Sequence, residues 1–250
     1  MDPAAREKAG IRERAWARLA ASGAARFPYP PTGRIPNFAG ARRAAERLLA
    51  HAVFQDARRI KVNPDAPQRP VRELALRRGI AVLMPTPRLR AGFLLLDPER
   101  IGGSRIREAA SLSGAARLGR RVALRELPRL DAVVVGSVAV DREGRRLGKG
   151  HGYGDLELGI LRELGHPSVP VATTVHPLQV VPLLPDDPTD LRLSLVATPD
   201  ELLEISRRPR PFPRIRWAHL SEEALREIPV LGELRAAARA GGAPQGRRPG

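Results

Sequence analysis

The sequence contains no cysteine, which excludes disulfides, thiolate-held zinc and a cysteine nucleophile, and removes the usual mark of a small secreted domain. Aromatic residues make up only 4%, and nothing among them resembles an RNP sequence whose rings could stack nucleic-acid bases. There is no run of about 18 apolar residues that could cross a bilayer, and the charged opening MDPAAREKAGIRERAW has no apolar signal core. The expectation is a cytoplasmic chain with no membrane partner. Acids are scarce beside bases, 27 against 43, for a net charge of +16. Such an excess attracts polyanions. The basic residues are spread over the whole chain, however, so any nucleic-acid binding is expected to be non-specific. Lysine is rarer still: Lys8, Lys61 and Lys149 are the three in the chain, and every other basic residue is arginine. A lysine kept against that background hints at a site wanting a compact ammonium instead of a planar fork. No internal repeat, zinc-ligand spacing or nucleophile elbow around Ser137 is visible. Nothing sets the oligomeric state.

What the chain does have is length and an apolar share, 250 residues at 42% hydrophobic, enough for one large core. The reading is a single α/β domain over residues 1–240 and a disordered tail over 241–250. Ile11, Ala15, Trp16 and Leu19 recur at helical spacing over residues 4–22 and place Lys8 and Arg12 on one face. A Pro- and Gly-rich crossing loop over 27–37 and a second helix over 41–54 follow. Short apolar runs at 59–62, 80–84, 93–96, 131–140, 169–174 and 193–197 then alternate with helices near 71–78, 104–118 and 155–164. That alternation implies βαβ units and parallel pairing. The run 132–140 is apolar on both faces, as a central strand covered on both sides must be. Prolines and charges rule out regular structure in residues 207–213, a surface strap, and a short helical piece is expected over 221–240.

The segment after the central run carries the chemistry: Arg146, Leu147, Gly148, Lys149, Gly150, His151, Gly152, Tyr153, Gly154, Asp155. Glycines at alternating positions remove the Cβ atoms that would keep a backbone from closing around an anion, and their N–H groups can converge on phosphate oxygens. The segment enters a helix whose N-terminal dipole favours an anion. Arg146 and Lys149 add positive charge, and Asp155 offers the hard oxygen that magnesium prefers. The pattern is neither a Walker A loop nor a dinucleotide turn after the first strand. His151 can serve as a phosphate donor or proton carrier, or simply occupy the loop. His176 ends an apolar strand and reads as structural.

Here the sequence resembles the 5-formyltetrahydrofolate cyclo-ligase, or methenyltetrahydrofolate synthetase, family. Within it, the resemblance is greatest to the synthetase-like domain of methenyltetrahydrofolate synthetase domain-containing proteins. The segments that carry it are Arg34-Ile35-Pro36-Asn37-Phe38, Lys61-Val62-Asn63-Pro64-Asp65, Pro85-Thr86-Pro87-Arg88-Leu89-Arg90, Val134 to Val140, the glycine loop, and Val175-His176-Pro177-Leu178-Gln179-Val180-Val181. The resemblance implies a three-layer α/β/α sandwich around an open, mostly parallel, Rossmann-like sheet. It implies ATP and Mg2+ as cofactors, a reduced folate or related pterin as the small-molecule substrate, and conversion of 5-formyltetrahydrofolate to 5,10-methenyltetrahydrofolate through phosphorylation of the formyl oxygen. Such chemistry asks for charge and positioning more than for a protein nucleophile.

By that resemblance Lys8, Arg12 and the loop from Arg146 through Gly154 hold ATP, with Lys8, Arg146 and Lys149 supplying catalytic charge. Gly150, His151, Gly152 and Tyr153 also face the substrate, and Asp155 and Asp190 attend the metal. The chain departs from the family pattern in three places. Gly154 stands for a second tyrosine, Leu156 for an arginine, and residues 65–70 for the stretch bearing a folate-binding glutamate. Two other readings follow: a nucleotide-binding relative without cyclo-ligase chemistry, and an RNA-associated module.

Overall fold

The computed structural model describes residues 3–187, 190–206, 208–220 and 222–241. Every residue of Ala132-Val133-Val134-Val135 is buried, and the alternation of strand side chains sends them to two different cores. Val133 and Val135 join one cluster with Leu158, Ile160, Leu161, Phe212 and Leu231. Ala132 and Val134 join another with Leu48, Leu49, Val71, Leu76 and Ala109. A sheet with a separate apolar cluster on each face is the middle layer of an α/β/α sandwich.

In chain order the elements are α1 (Pro3–Ala21), β1 (Ala25–Arg26), β2 (Asn37–Phe38), α2 (Ala41–Leu49), β3 (Arg59–Val62), α3 (Arg69–Arg77), β4 (Ala81–Pro85), β5 (Phe93–Leu96), α4 (Pro98–Ile101), α5 (Ile106–Ala109), α6 (Leu112–Leu118) and β6 (Arg120–Val122). They continue with β7 (Ala132–Val135), β8 (Ala139–Val140), β9 (Arg146–Leu147), α7 (Tyr153–Glu163), β10 (Val171–Thr174), β11 (Leu195–Ala197), β12 (Leu202–Glu204), α8 (Glu222–Glu227) and α9 (Pro229–Gly241). Short 3-10 turns join several of them. The main sheet has eight strands in the order β12-β11-β10-β7-β3-β4-β5-β6. From β11 to β4 the pairing is parallel.

The order builds outward in opposite directions from β3 and β7. After β3 the chain crosses by α3 to β4 on one side, and after β7 it crosses by α7 to β10 on the other. Between β3 and β7 lies the switch point, where doubly wound sheets leave a crevice at the carboxyl ends of their strands.

Four expectations need correction. The apolar run to Val140 is not one strand: β7 stops at Val135, and Ala139–Val140 pairs instead with Arg146–Leu147 in a separate antiparallel ribbon. Thr173 Oγ1 donates to the Val135 carbonyl at 2.7 Å and lies 2.8 Å from Ser137 Oγ, so side chains take over where the ladder ends. Two edge strands were not anticipated: the sheet is mostly parallel, as expected, but β5, β6 and β12 pair antiparallel. β6 and β12 lie outside the anticipated strands because Arg-Arg-Val and Leu-Leu-Glu are too short to show alternation. The helix expected over 104–118 is interrupted at Ser111, whose Oγ caps α6 by accepting from Gly114 N. The helix expected over 41–54 ends at Leu49, and His51 caps a 3-10 turn after it by accepting from Val53 N.

The crossing loop is ordered by Trp16 Nε1 donating to Arg34 O at 3.0 Å and Asn37 Nδ2 to Phe27 O at 2.8 Å. The strap lacks regular structure over its described residues 208–216. It is tied down by buried Phe212 and Ile215, and it lies so close to α7 that a Cβ on Gly159 would sit 2.8 Å from Ile215 Cγ1. Arg207, Ser221 and the expected tail beyond Gly241 lie outside the described residues. No described helix is long and apolar enough to cross a membrane.

Candidate functional site

The crevice at the switch point is a cavity of about 1010 Å3. Its walls come from α1, the crossing loop, the turns after β3 and β4, the start of α6, and the glycine loop entering α7. Every site residue singled out in the sequence lines it: Lys8, Arg12, each residue from Arg146 through Asp155, and Asp190. No described residue of the strap does.

The four alternating glycines of the loop are needed for two different reasons. Gly150 and Gly152 have φ of +101° and +70°, the left-handed region where a Cβ is costly. Gly148 and Gly154 instead make room for the Arg146 guanidinium: a Cβ would lie 2.8 Å from it at Gly148 and 3.3 Å at Gly154. That guanidinium is anchored by Nε and Nη2, which donate to Gly136 O at 2.9 and 2.5 Å. Gly136 in turn allows a close approach, since a Cβ there would stand 2.9 Å from both Asp65 Oδ2 and Ile35.

Around this loop the charges pair off. Arg12 Nε donates to Gly148 O at 2.7 Å, and burial together with nearby Arg146 pushes its pKa below the ordinary arginine value. Lys8 Nζ reaches Asp190 Oδ2 at 2.7 Å and Asp187 Oδ2 at 3.5 Å. Burial raises the Asp190 pKa against the opposing pull of Lys8. Lys149 Nζ sits 3.0 Å from Asp65 Oδ1, bridging the glycine loop and the turn after β3. Asp155, in the first turn of α7, accepts from Leu191 N at 3.0 Å. Helix α7 begins at Gly152 without a side-chain cap, which leaves its N-terminal donors to a ligand or water. The His151 and Tyr153 rings stack at a centroid distance of 6.3 Å.

Asp155 lies close enough to Asp190 for its charge to add to the upward shift of the Asp190 pKa that burial causes. Among the described residues no group of three or more His, Asp or Glu side chains gathers into a metal cage. His176 is structural, as read: Nδ1 accepts from Leu178 N at 3.2 Å while Gln179 Oε1 caps the His176 N–H.

Sequence reasoning missed a buried network beneath the cavity. Lys61 is fully buried, donates to Asn63 Oδ1 at 2.7 Å and forms an ion pair with Glu157. Burial drives the Glu157 pKa upward, opposed by Lys61. Asn63 and Glu157 both line the cavity. The available signal was the rarity of lysine, because all three lysines of the chain converge on this region. Arg72 was missed as well. Its buried guanidinium donates to Asn63 O, Asp65 O and Ala110 O at 2.5, 3.2 and 3.0 Å and pins the turn after β3. Desolvation pushes its pKa down to about 10, so it stays charged at neutral pH.

Comparison with known proteins agrees with this architecture. A model of the 5-formyltetrahydrofolate cyclo-ligase family matches residues 4–199. The methenyltetrahydrofolate synthase domain-containing protein of Mus musculus is 42% identical over 236 residues, 91% of this chain and 63% of that protein. Its Homo sapiens counterpart is 36% identical over 236 residues, 92% of this chain and 61% of that protein. The chain thus spans less than two thirds of these curated relatives. The NMR structure of Aquifex aeolicus 5,10-methenyltetrahydrofolate synthetase covers 85% of this chain and 99% of its own at a TM-score of 0.50 and 17% identity, a likeness of fold. With the family match extending from α1 to the end of the parallel core, the chain belongs to the 5-formyltetrahydrofolate cyclo-ligase family.

Proposed function

We propose that the cavity is the active site of an ATP- and magnesium-dependent cyclo-ligase that converts 5-formyltetrahydrofolate to 5,10-methenyltetrahydrofolate. The observation that carries this is the convergence of Lys8, Arg12, Arg146, Lys149, the glycine loop, Asp155 and Asp190 on one cavity. At about 1010 Å3 it is at the upper end of small-molecule sites, so it has room for two ligands side by side.

The donor set fits the cofactors. Magnesium in phosphate-transfer sites takes one or two protein carboxylates and completes its shell with phosphate oxygens and water, so the paired acids Asp155 and Asp190 suffice without a cage. When bound, ATP and the metal supply the phosphoryl group that activates the formyl oxygen and neutralise its charge. The remaining work belongs to the chain. Gly150 and Gly152 allow the left-handed turns of a loop whose backbone N–H groups would bind phosphate, and the uncapped start of α7 adds its dipole. Arg146, fixed by Gly136 O, presents its remaining N–H groups without having to be ordered on binding, which is the economy of a preorganised electrostatic site. Lys8 and Lys149 carry ammonium groups that would exchange their carboxylate partners for phosphate on binding. Gly148 to Tyr153 form the wall between the two ligands, where His151 and Tyr153 give a flat surface.

A second reading, nucleotide binding without cyclo-ligase chemistry, draws on the Lys149–Asp65 pair, which engages the acid on the turn after β3. Isothermal titration separates the two. Binding of ATP with magnesium, followed by binding of 5-formyltetrahydrofolate to the nucleotide complex, is the result expected of the cyclo-ligase. Nucleotide binding with no folate binding supports the second reading, and no nucleotide binding contradicts both.

A further inference from the structure

The cavity is rich in cations, and its anions are mostly engaged. Lys149 holds Asp65, Lys8 holds Asp190, and the Leu191 N–H donates to Asp155. Glu157 differs. Its partner Lys61 is not a wall residue but lies behind the wall, fully buried, and binds through Glu157 Oε2 alone. Glu157 Oε1 accepts no hydrogen bond from the described residues. Lys61 is held in turn by Asn63 Oδ1 at 2.7 Å, and Asn63 stands on a turn that Arg72 pins through the Asn63 carbonyl. The carboxylate is therefore fixed from behind through one oxygen, on a residue that lines the cavity.

Such an arrangement needs a reason. A buried ion pair is often no more stabilising than apolar side chains of the same volume, because desolvation offsets the attraction. An oxygen acceptor held rigidly in a cationic cavity has a use if the ligand brings N–H donors there. The anionic parts of a ligand go to the lysines and arginines. An uncharged, donor-rich ring edge finds in Glu157 an acceptor whose cation partner lies behind the wall, whereas Asp65 and Asp190 are paired with lysines of the wall itself.

We propose that Glu157 reads the heterocycle of the acceptor substrate, accepting hydrogen bonds from a ring edge that carries an amino group beside a ring N–H. Lys61 is a positioning residue, which holds the carboxylate from behind the wall, and Asn63 holds Lys61 in turn. This inference rests on the reading of the cavity as a reduced-folate site, and it assigns recognition of the folate's aminopyrimidine edge to α7.

The test compares 5-formyltetrahydrofolate with its 2-desamino analogue, which lacks the amino donor, by titration calorimetry on the full chain with ATP and magnesium present. The native protein is expected to prefer the parent by at least about tenfold, the worth of a hydrogen bond to a charged group. Glu157→Ala would strand a buried Lys61 and endanger folding, so the informative variant is the double change Lys61→Met, Glu157→Leu, which removes both charges together. Its fold is checked by circular dichroism and melting. It is expected to bind the two ligands equally. A native protein that binds both ligands equally overturns the assignment, and so does a folded double variant that keeps the preference. A native protein that binds neither ligand overturns the folate reading on which the assignment rests.

Discussion

Replacing Lys149 by alanine should weaken ATP binding without unfolding the protein, and Asp65 determines how large the loss is. In the free protein the Lys149 ammonium lies 3.0 Å from Asp65 Oδ1, with the lysine side chain 36% exposed and the aspartate 13%. A partly exposed pair of this kind contributes about 0–1 kcal/mol to folding. The melting temperature of Lys149→Ala should therefore fall by no more than about 4 °C for a chain of this size. A charge-assisted contact to phosphate is worth about 1.5–3 kcal/mol. From this must be subtracted the pair broken when lysine turns from Asp65 to the ligand. The net loss in ATP affinity is then about 0.5–3 kcal/mol, on the order of two- to 150-fold.

The same reasoning gives Asp65→Asn the opposite sign. It releases Lys149 and removes a negative charge facing phosphate, so ATP should bind a few-fold more tightly. Titration calorimetry of the native protein, both single variants and the double variant completes a cycle whose coupling term reports the Lys149–Asp65 interaction directly. Unchanged ATP affinity in Lys149→Ala would refute the assignment of this lysine. Weaker binding in Asp65→Asn would show that the acid organises the lysine for phosphate instead of competing with it.

Asp155→Asn should abolish the enhancement of nucleotide binding by magnesium, because an amide is a poor ligand for a hard cation; enhancement that persists in the titration would leave Asp155 as a helix-start acid bonded to Leu191 N. Burial lowers the His176 and His166 pKa values below 6.5, so in that window the unfolded chain binds more protons and stability falls as pH drops from about 6.5 toward the folded values. Thermal melts against pH should show this loss, and His176→Asn, which keeps an acceptor for the Leu178 N–H, should reduce it; an identical pH profile in the variant would refute the role given to this ring. Affinity for RNA or DNA should collapse between low and physiological salt, as phosphate-only contacts do, and sequence-selective binding that survives moderate salt would favour the RNA-associated reading.

How far the sequence could be read depended on whether a feature was local. The glycine loop, its flanking charges and α7 were legible because their meaning lies in contiguous residues. The β7 position was legible because four buried apolar residues in succession need cover on both faces. The break after Val135 was not, since Val138, Ala139 and Val140 are as buried as the strand before them; Val138 and Ala139 pack with Ile11, Ala15 and Trp16 of α1 and Ile35 of the crossing loop, a contact no local pattern encodes. The antiparallel edges were lost for a similar reason, as strands of three residues carry too little alternation. Lys61–Glu157 spans 96 residues, and a pair so distant in sequence has no spacing to reveal it. Only the scarcity of lysine pointed there.

The central claim is that this cavity carries out a cyclo-ligase reaction, and turnover tests it most directly. The assay follows the methenyl absorbance after mixing 5-formyltetrahydrofolate, ATP and magnesium with the protein, with the Lys8→Ala, Asp155→Asn double variant as the blank. The account predicts product from the native protein, slow at low folate and rising as folate approaches saturation, because residues 65–70 depart from the family pattern where a folate-binding glutamate is expected. No product at saturating folate, in a preparation shown to bind ATP, would contradict it.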